Sequence, residues 1–180
     1  PSWFVRISCY FYLNKSIKSR LMTHSFTAID LETSHNKRWS ICQIGLVKVE
    51  NGKISEEVNL LIQPPNNEYK IRNIGIHGIT PEDTKNEPTF DQVWHKIKPY
   101  IEGQTLVAHN GHSFDFSALK QTLEYYNIPI PHYEKHCTYR IFNDKLDSLC
   151  HKYNIPLNHH DALSDARACA NLFLLHVQNS

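Results

Sequence analysis

The stretch FTAIDLETSHNKRWSICQIGLVKVENGKISEEVNLLIQ, residues 26–63, decides the fold of this 180-residue chain. Its first part, FTAIDLE (26–32), is an apolar, β-favouring run that ends at the polar loop TSHNKR (33–38), as a buried strand does. WSICQIGLVKV (39–49) reads as a second, longer strand. Asn51-Gly52 then supplies a two-residue hairpin turn, since both residues tolerate positive φ. EEVNLLIQ (56–63) is the third strand, stopped by Pro64-Pro65. Three consecutive strands joined by short turns predict an antiparallel meander.

Beyond it the pattern becomes helical. Thr80 is placed as an N-cap, with Pro81 at the first helical position and Asp83 at the third. Thr89 and Gln92 repeat the capping logic, and Phe90, Val93, Ile97 and Ile101 follow at helical spacing. TLVAHN (105–110) predicts a short parallel-type strand. FDFSALKQTLEYY (114–126) predicts a helix with Phe116, Leu119, Leu123 and Tyr126 on one face. HCTYR (136–140) is assigned to a fifth strand, KLDSLCHKY (145–153) to a short helix, and residues from about 161 to 177 to a final helix. The order β-β-β-α-β-α-β-α-α predicts an α/β fold: a mixed five-stranded sheet, antiparallel meander plus parallel strands, with helices on both faces. Functional groups are then expected at the strand ends.

The bulk numbers narrow the function classes. At 41% hydrophobic residues the chain supports one core rather than two. A net charge of +1 gives no basic footprint, so a nucleic-acid partner has to be met by metal ions and a local patch. No apolar run approaches the roughly 18 residues of a membrane span. Five cysteines without a CxxC pair suit a reducing, cytoplasmic setting and argue against a zinc ribbon. Residues 1–21 carry basic but no acidic residues and several aromatics, unlike the rest. Met22 is the only methionine. The expectation is an N-terminal extension of uncertain role followed by one domain over residues 22–180.

Chemistry gathers at three places. Asp30 and Glu32, two apart on a strand, project from one face while Leu31 faces the other. With Ala28 and Ile29 as neighbours, both can remain ionised side by side only if a cation compensates. Hard oxygen ligands favour Mg²⁺ or Mn²⁺ over zinc. Asp115 opens a helix, where the backbone favours an anion, after a strand ending in His109-Asn110. Those two residues suit either substrate bonding or bracing of the loop. His160 and Asp165 converge if His160 stands in the loop before the last helix and Asp165 in its second turn. His160, with a near-neutral intrinsic pKa, then suits a general base for water. His159 and Asp161 are the competing neighbours, and Asp161 is a natural cap. Four carboxylates and one histidine match a two-metal phosphodiesterase, in which cations about 3.5–4 Å apart clamp the attacking and leaving oxygens.

Asp30-x-Glu32, the HN…FD segment ending at Asp115, and the H-x-A-x-x-D segment from His160 to Asp165 together resemble the three motifs of the DEDDh (DnaQ-like) 3′→5′ exonuclease family. That family includes the epsilon proofreading subunit of bacterial DNA polymerase III. The intervening SICQIGLVKVENGKI, LIQPP, IHGITPE and LVAHN resemble bacterial epsilon-like members, over residues 25 to about 177. The resemblance implies a ribonuclease H-like fold and two divalent cations held by Asp30, Glu32, Asp115 and Asp165. It implies His160 as the base and release of nucleoside monophosphates from the 3′ end of single-stranded or frayed DNA. It also implies substrate contacts from Thr33, His77 and Ile79, which join His109 and Asn110, placed at the strand end, as the candidate substrate-binding residues. One departure is the three-residue spacer Gly111-His112-Ser113 between HN and FD, where epsilon-type sequences have two. The chain also runs only a little past the last helix, which sets the expectation of a polymerase partner against the absence of an epsilon-type extension. An RNA-trimming exoribonuclease and a non-catalytic nucleic-acid-binding module are the alternatives. Retention of all five motif residues favours the enzyme.

Overall fold

The structure is a computed structural model and describes residues 25–179. The predicted residues 1–21 extension lies outside the described residues. Strands β1 (Phe26–Thr33), β2 (Ile41–Glu50) and β3 (Lys53–Leu61) form the expected antiparallel meander. Its β2–β3 turn is made by Asn51 and Gly52, both at positive φ. Strand β4 (Thr105–Ala108) joins β1 in parallel, and β5 (Glu134–Cys137) joins β4 in parallel, giving the order β3-β2-β1-β4-β5.

Between β3 and β4 lie helices α1 (Ile71–His77), α2 (Pro81–Thr84) and α3 (Phe90–Ile97). Both predicted capping boxes are present, Thr80 with Asp83 and Thr89 with Gln92. Helix α4 (Asp115–Tyr125) follows β4, and α5 (Thr138–Phe142), α6 (Leu146–Tyr153) and α7 (Ala162–Gln178) complete the order. Helix α1 carries no sequence signal strong enough to announce it. Lys70 caps it without a side-chain hydrogen bond, Gly75 lies inside it, and it buries no residue. The HCTYR segment is a correction: the strand ends at Cys137, and Thr138 to Arg140 belong to α5. Pairing with β4 stops at Ala108↔Cys137, so the chain has no ladder to continue.

The alternation along β1 and β2 sorts the core into two layers. Ile29, Leu31, Ile44 and Leu46 face α3 and α4, packing with Phe90, Val93, Ile97, Leu119 and Leu123. Phe26, Ala28, Val47 and Val49 face α7, packing with Ala166, Cys169, Ala170 and Phe173. Gly45, on this second face, is where α7 comes closest. A Cβ there would lie 2.1 Å from the Ala162 carbonyl oxygen. Gly45 is also the register partner of Asp30, so the absence of a side chain brings the start of α7 over the carboxylate-bearing end of β1.

Candidate active site

Strand β4 pairs with β1 only at Thr27 and Ala28. The last residues of β1 therefore have a free edge on that side, and α4 fills it. The Leu31 amide donates to Asp115 Oδ1 at 3.1 Å, so the first residue of α4 is tied to the strand between Asp30 and Glu32. The preceding loop is braced from β1–β2: Arg38 Nη1 donates to the Phe114 carbonyl at 3.3 Å, and its guanidinium lies over the Phe114 ring.

On the other side, α7 is capped by Asp161, whose side chain accepts the Ser164 amide at 2.8 Å as the sequence suggested. Gln43 on β2 accepts the Ala162 amide at 3.2 Å and pins this helix start to the sheet. Asp165 falls in the first turn rather than the predicted second, because the helix begins only at Ala162. His160 stands in the loop before it, with a left-handed backbone (φ 71°). Asp165 Oδ2 accepts two hydrogen bonds, from the His160 amide at 3.1 Å and from His159 Nδ1 at 2.9 Å. Its Oδ1 is buried without a partner among the described residues.

A cleft of about 220 Å³ results, lined by Asp30, Glu32, Asp115, Asp165 and His160, with His109, Asn110 and Phe114 along its side. All five motif residues therefore meet in one place, and two of the five expected substrate contacts line the same cleft. The other three sit beside it. Thr33 is buried, with its carbonyl accepting from Asn73 Nδ2 at 2.8 Å and lying 3.3 Å from His77 Nε2. Ile79 is buried behind them, its amide donating to His77 Nδ1 at 3.0 Å. Helix α1 thus holds the end of β1 from outside the cleft.

The electrostatics are those of like charges confined together. Burial raises the Asp30 carboxyl well above its usual range, and Asp115, Asp165 and Glu32 raise it further. Glu32 is pushed up to about 8, first by burial and then by Asp165 and Asp115. Burial also raises Asp115, opposed by backbone amides and Arg38, and raises Asp165, opposed chiefly by His159. A cluster of this kind is at rest only when protonated or when cations share it. The donor set, all carboxylate oxygens with one of them left unpartnered, fits hard divalent cations. His160 is shifted downward, by burial and by His159, which favours the neutral imidazole. His109 is lowered to about 4 by burial and bonds Thr138 Oγ1 at 3.0 Å, so it offers the cleft a neutral ring.

Sequence reasoning passed over Gln43 and treated His159 only as a competitor of His160. Gln43 had a signal: a polar residue two before Gly45, on the strand face that meets the last helix.

The sheet order and the placement of acids on β1, α4 and α7 define a ribonuclease H-like nuclease fold. The family profile RNase_T, described as "Exonuclease", matches residues 27–173, and the chain belongs to this exonuclease family. The PolC-type DNA polymerase III of Thermotoga petrophila is 30% identical over 175 residues, which is 92% of this chain and 13% of that protein. The DNA polymerase III epsilon subunit of Escherichia coli is 28% identical over 155 residues, 78% of this chain and 63% of that one. The chain thus spans only a small part of the PolC-type relatives. Among solved structures, exonuclease X in complex with 5′-overhanging duplex DNA superposes with a TM-score of 0.66 at 25% identity, covering 85% of this chain and 90% of that one. Escherichia coli exonuclease I in complex with an oligonucleotide shares the fold, with a TM-score of 0.73 at 16% identity over 87% of this chain and 40% of that one. No helix among the described residues is long and apolar enough to cross a membrane.

Proposed function

We propose that this protein is a metal-dependent 3′→5′ exonuclease that removes nucleoside 5′-monophosphates from single-stranded or frayed DNA, in proofreading or repair. The observation that carries the reading is the convergence of four carboxylates in one cleft, their proton affinities raised and one buried oxygen of Asp165 unpartnered. Asp30, Glu32 and Asp165 would hold one divalent cation, and Asp30 with Asp115 the second, Mg²⁺ or Mn²⁺ in both positions. Bound there, the cations supply Lewis-acid stabilisation of the displacement at phosphorus.

The chain's own residues do the rest. His160, neutral and free of side-chain hydrogen bonds among the described residues, accepts the proton of the attacking water. The new O–P bond forms as the bond to the 3′ oxygen breaks, and that oxygen leaves with the shortened strand. The Leu31 amide fixes Asp115, and the helix start pinned by Gln43 fixes Asp165. His109 and Asn110 would contact the terminal nucleotide from the cleft side, and Thr33, His77 and Ile79, beside the cleft rather than in its lining, would meet it only past the end of β1. Kinship with polymerase subunits favours a polymerase as the partner.

The test is a gel assay with 5′-labelled DNA and RNA of one sequence, each with Mg²⁺, Mn²⁺ or EDTA. A cation-dependent ladder shortening from the 3′ end, faster on DNA, is expected. A faster ladder on RNA would reassign the substrate, and binding without cleavage would replace the enzyme by a nucleic-acid-binding module.

A further inference from the structure

We propose that His159 is a positioning residue that orients both the Asp165 carboxylate and the His160 imidazole, through a hydrogen bond to one and a ring stack on the other. The proposal rests on the exonuclease reading above and assigns a role inside that site to a residue outside the three motifs.

Two independent contacts carry it. His159 Nδ1 lies 2.9 Å from Asp165 Oδ2. The carboxylate is an acceptor, so Nδ1 carries the hydrogen. Together with the His160 amide, that bond saturates Oδ2 on the protein side and leaves the other oxygen, Oδ1, buried and unpartnered. Asp165 has one oxygen anchored and one presented, as an oriented ligand should. The second contact is face to face: the His159 and His160 rings lie 4.0 Å apart between centroids, with planes inclined by 18°. His160 sits on a left-handed backbone that non-glycine residues adopt rarely, and its ring has no hydrogen bond among the described residues. The stack is the contact that sets its direction. His159 itself is not part of the core, its side chain being 42% exposed. It lines the cleft itself, beside the two groups it touches.

The two contacts are separable by substitution. His159→Phe keeps a flat ring and removes the donor. His159→Asn keeps a donor at a similar reach and removes the ring. His159→Ala removes both. The full chain, stripped of metal, is titrated with Mn²⁺ and followed by calorimetry. Single-turnover cleavage of a labelled oligonucleotide is measured separately at saturating Mn²⁺, with thermal melting as a check on folding.

His159→Phe is expected to weaken Mn²⁺ binding about 10-fold or more, the usual effect of losing a partner that orients a ligand, with a smaller loss of rate once Mn²⁺ is saturating. His159→Asn is expected to bind Mn²⁺ nearly as wild type but to cleave more slowly at saturation. His159→Ala should combine the two losses. If the Phe and Asn variants match wild type in both quantities, or lose both alike, the positioning role is overturned. If either one fails to fold, the remaining variant and His159→Ala decide by the same split. A wild-type protein that neither binds Mn²⁺ nor cleaves overturns the exonuclease reading and this proposal with it. A wild-type protein that does both, beside unaffected variants, overturns this proposal alone.

Discussion

The two halves of β1 are built to opposite rules. Phe26, Thr27, Ala28 and Ile29 are all buried, the apolar ones are enclosed by packed helices, and β2 and β4 flank the strand. From Asp30 onward β4 is gone, the apolar side chains on the α7 face are replaced by Asp30 and Glu32, and the strand is braced by groups from α4 and α1 instead. One half lowers the free energy of the fold. The other raises it, by crowding carboxylates whose ionisation burial opposes. On the function proposed above, the strand end is organised around a charge the chain itself does not supply, and the first half bears the strain of the second.

Substitutions should separate the halves. The largest effect is expected in the second: Asp30→Ala or Asp165→Ala should reduce cleavage to background in the labelled-oligonucleotide assay. His160→Ala should retain nucleic-acid binding and lose about 10²–10⁴-fold in single-turnover rate, the range of general-base assistance. In the first half the pattern should invert. Phe26→Ala removes a fully buried ring packed edge-on against Phe173. It should destabilise the protein by about 3–5 kcal/mol in denaturant melts, while the fraction that remains folded cleaves at the wild-type rate. Gly45→Ala lies at the joint. The added methyl collides with the Ala162 carbonyl, so stability and rate should fall together, each less than in the extreme cases. A Gly45→Ala protein with unchanged melting and activity would show that α7 is free to move off the sheet without consequence for the site.

Much of this was legible in the residues. The meander, the Asn51-Gly52 turn and both capping boxes follow from local chemistry, and local chemistry is what sequence displays best. The five residues Asp30, Glu32, Asp115, His160 and Asp165 were legible as a set because each stands at an element edge, and the structure gathers them in one cleft. Helix α1 was not, since it is short, exposed and held by hydrogen bonds to Thr33 some 40 residues away. The end of β5 was not, because a neighbouring strand's length fixes it. His159 and His160 are adjacent and chemically identical, so only the fold distinguishes the ring bonded to Asp165 from the ring that is stacked on it without a hydrogen bond of its own among the described residues.

The most direct test of the contrast within β1 is thermal melting of Asp30→Asn beside wild type, without divalent cations, from pH 4 to pH 8.5. Carboxyls whose folded-state pKa is raised accommodate the proton, so their stabilising effect is complete below the unfolded value and is lost as pH rises through the folded one. For Glu32 that window runs from 4.5 to about 8, and Asp30 shifts in the same direction. Wild type should therefore lose stability across this range, and Asp30→Asn, neutral throughout, should melt at a higher temperature than wild type at pH 8 and close to it at pH 4. Saturating Mg²⁺ should raise wild type and leave the variant nearly unmoved. A variant that melts at or below wild type at pH 8 in the absence of cations would contradict the claim that this strand end is strained by charge and completed by metal.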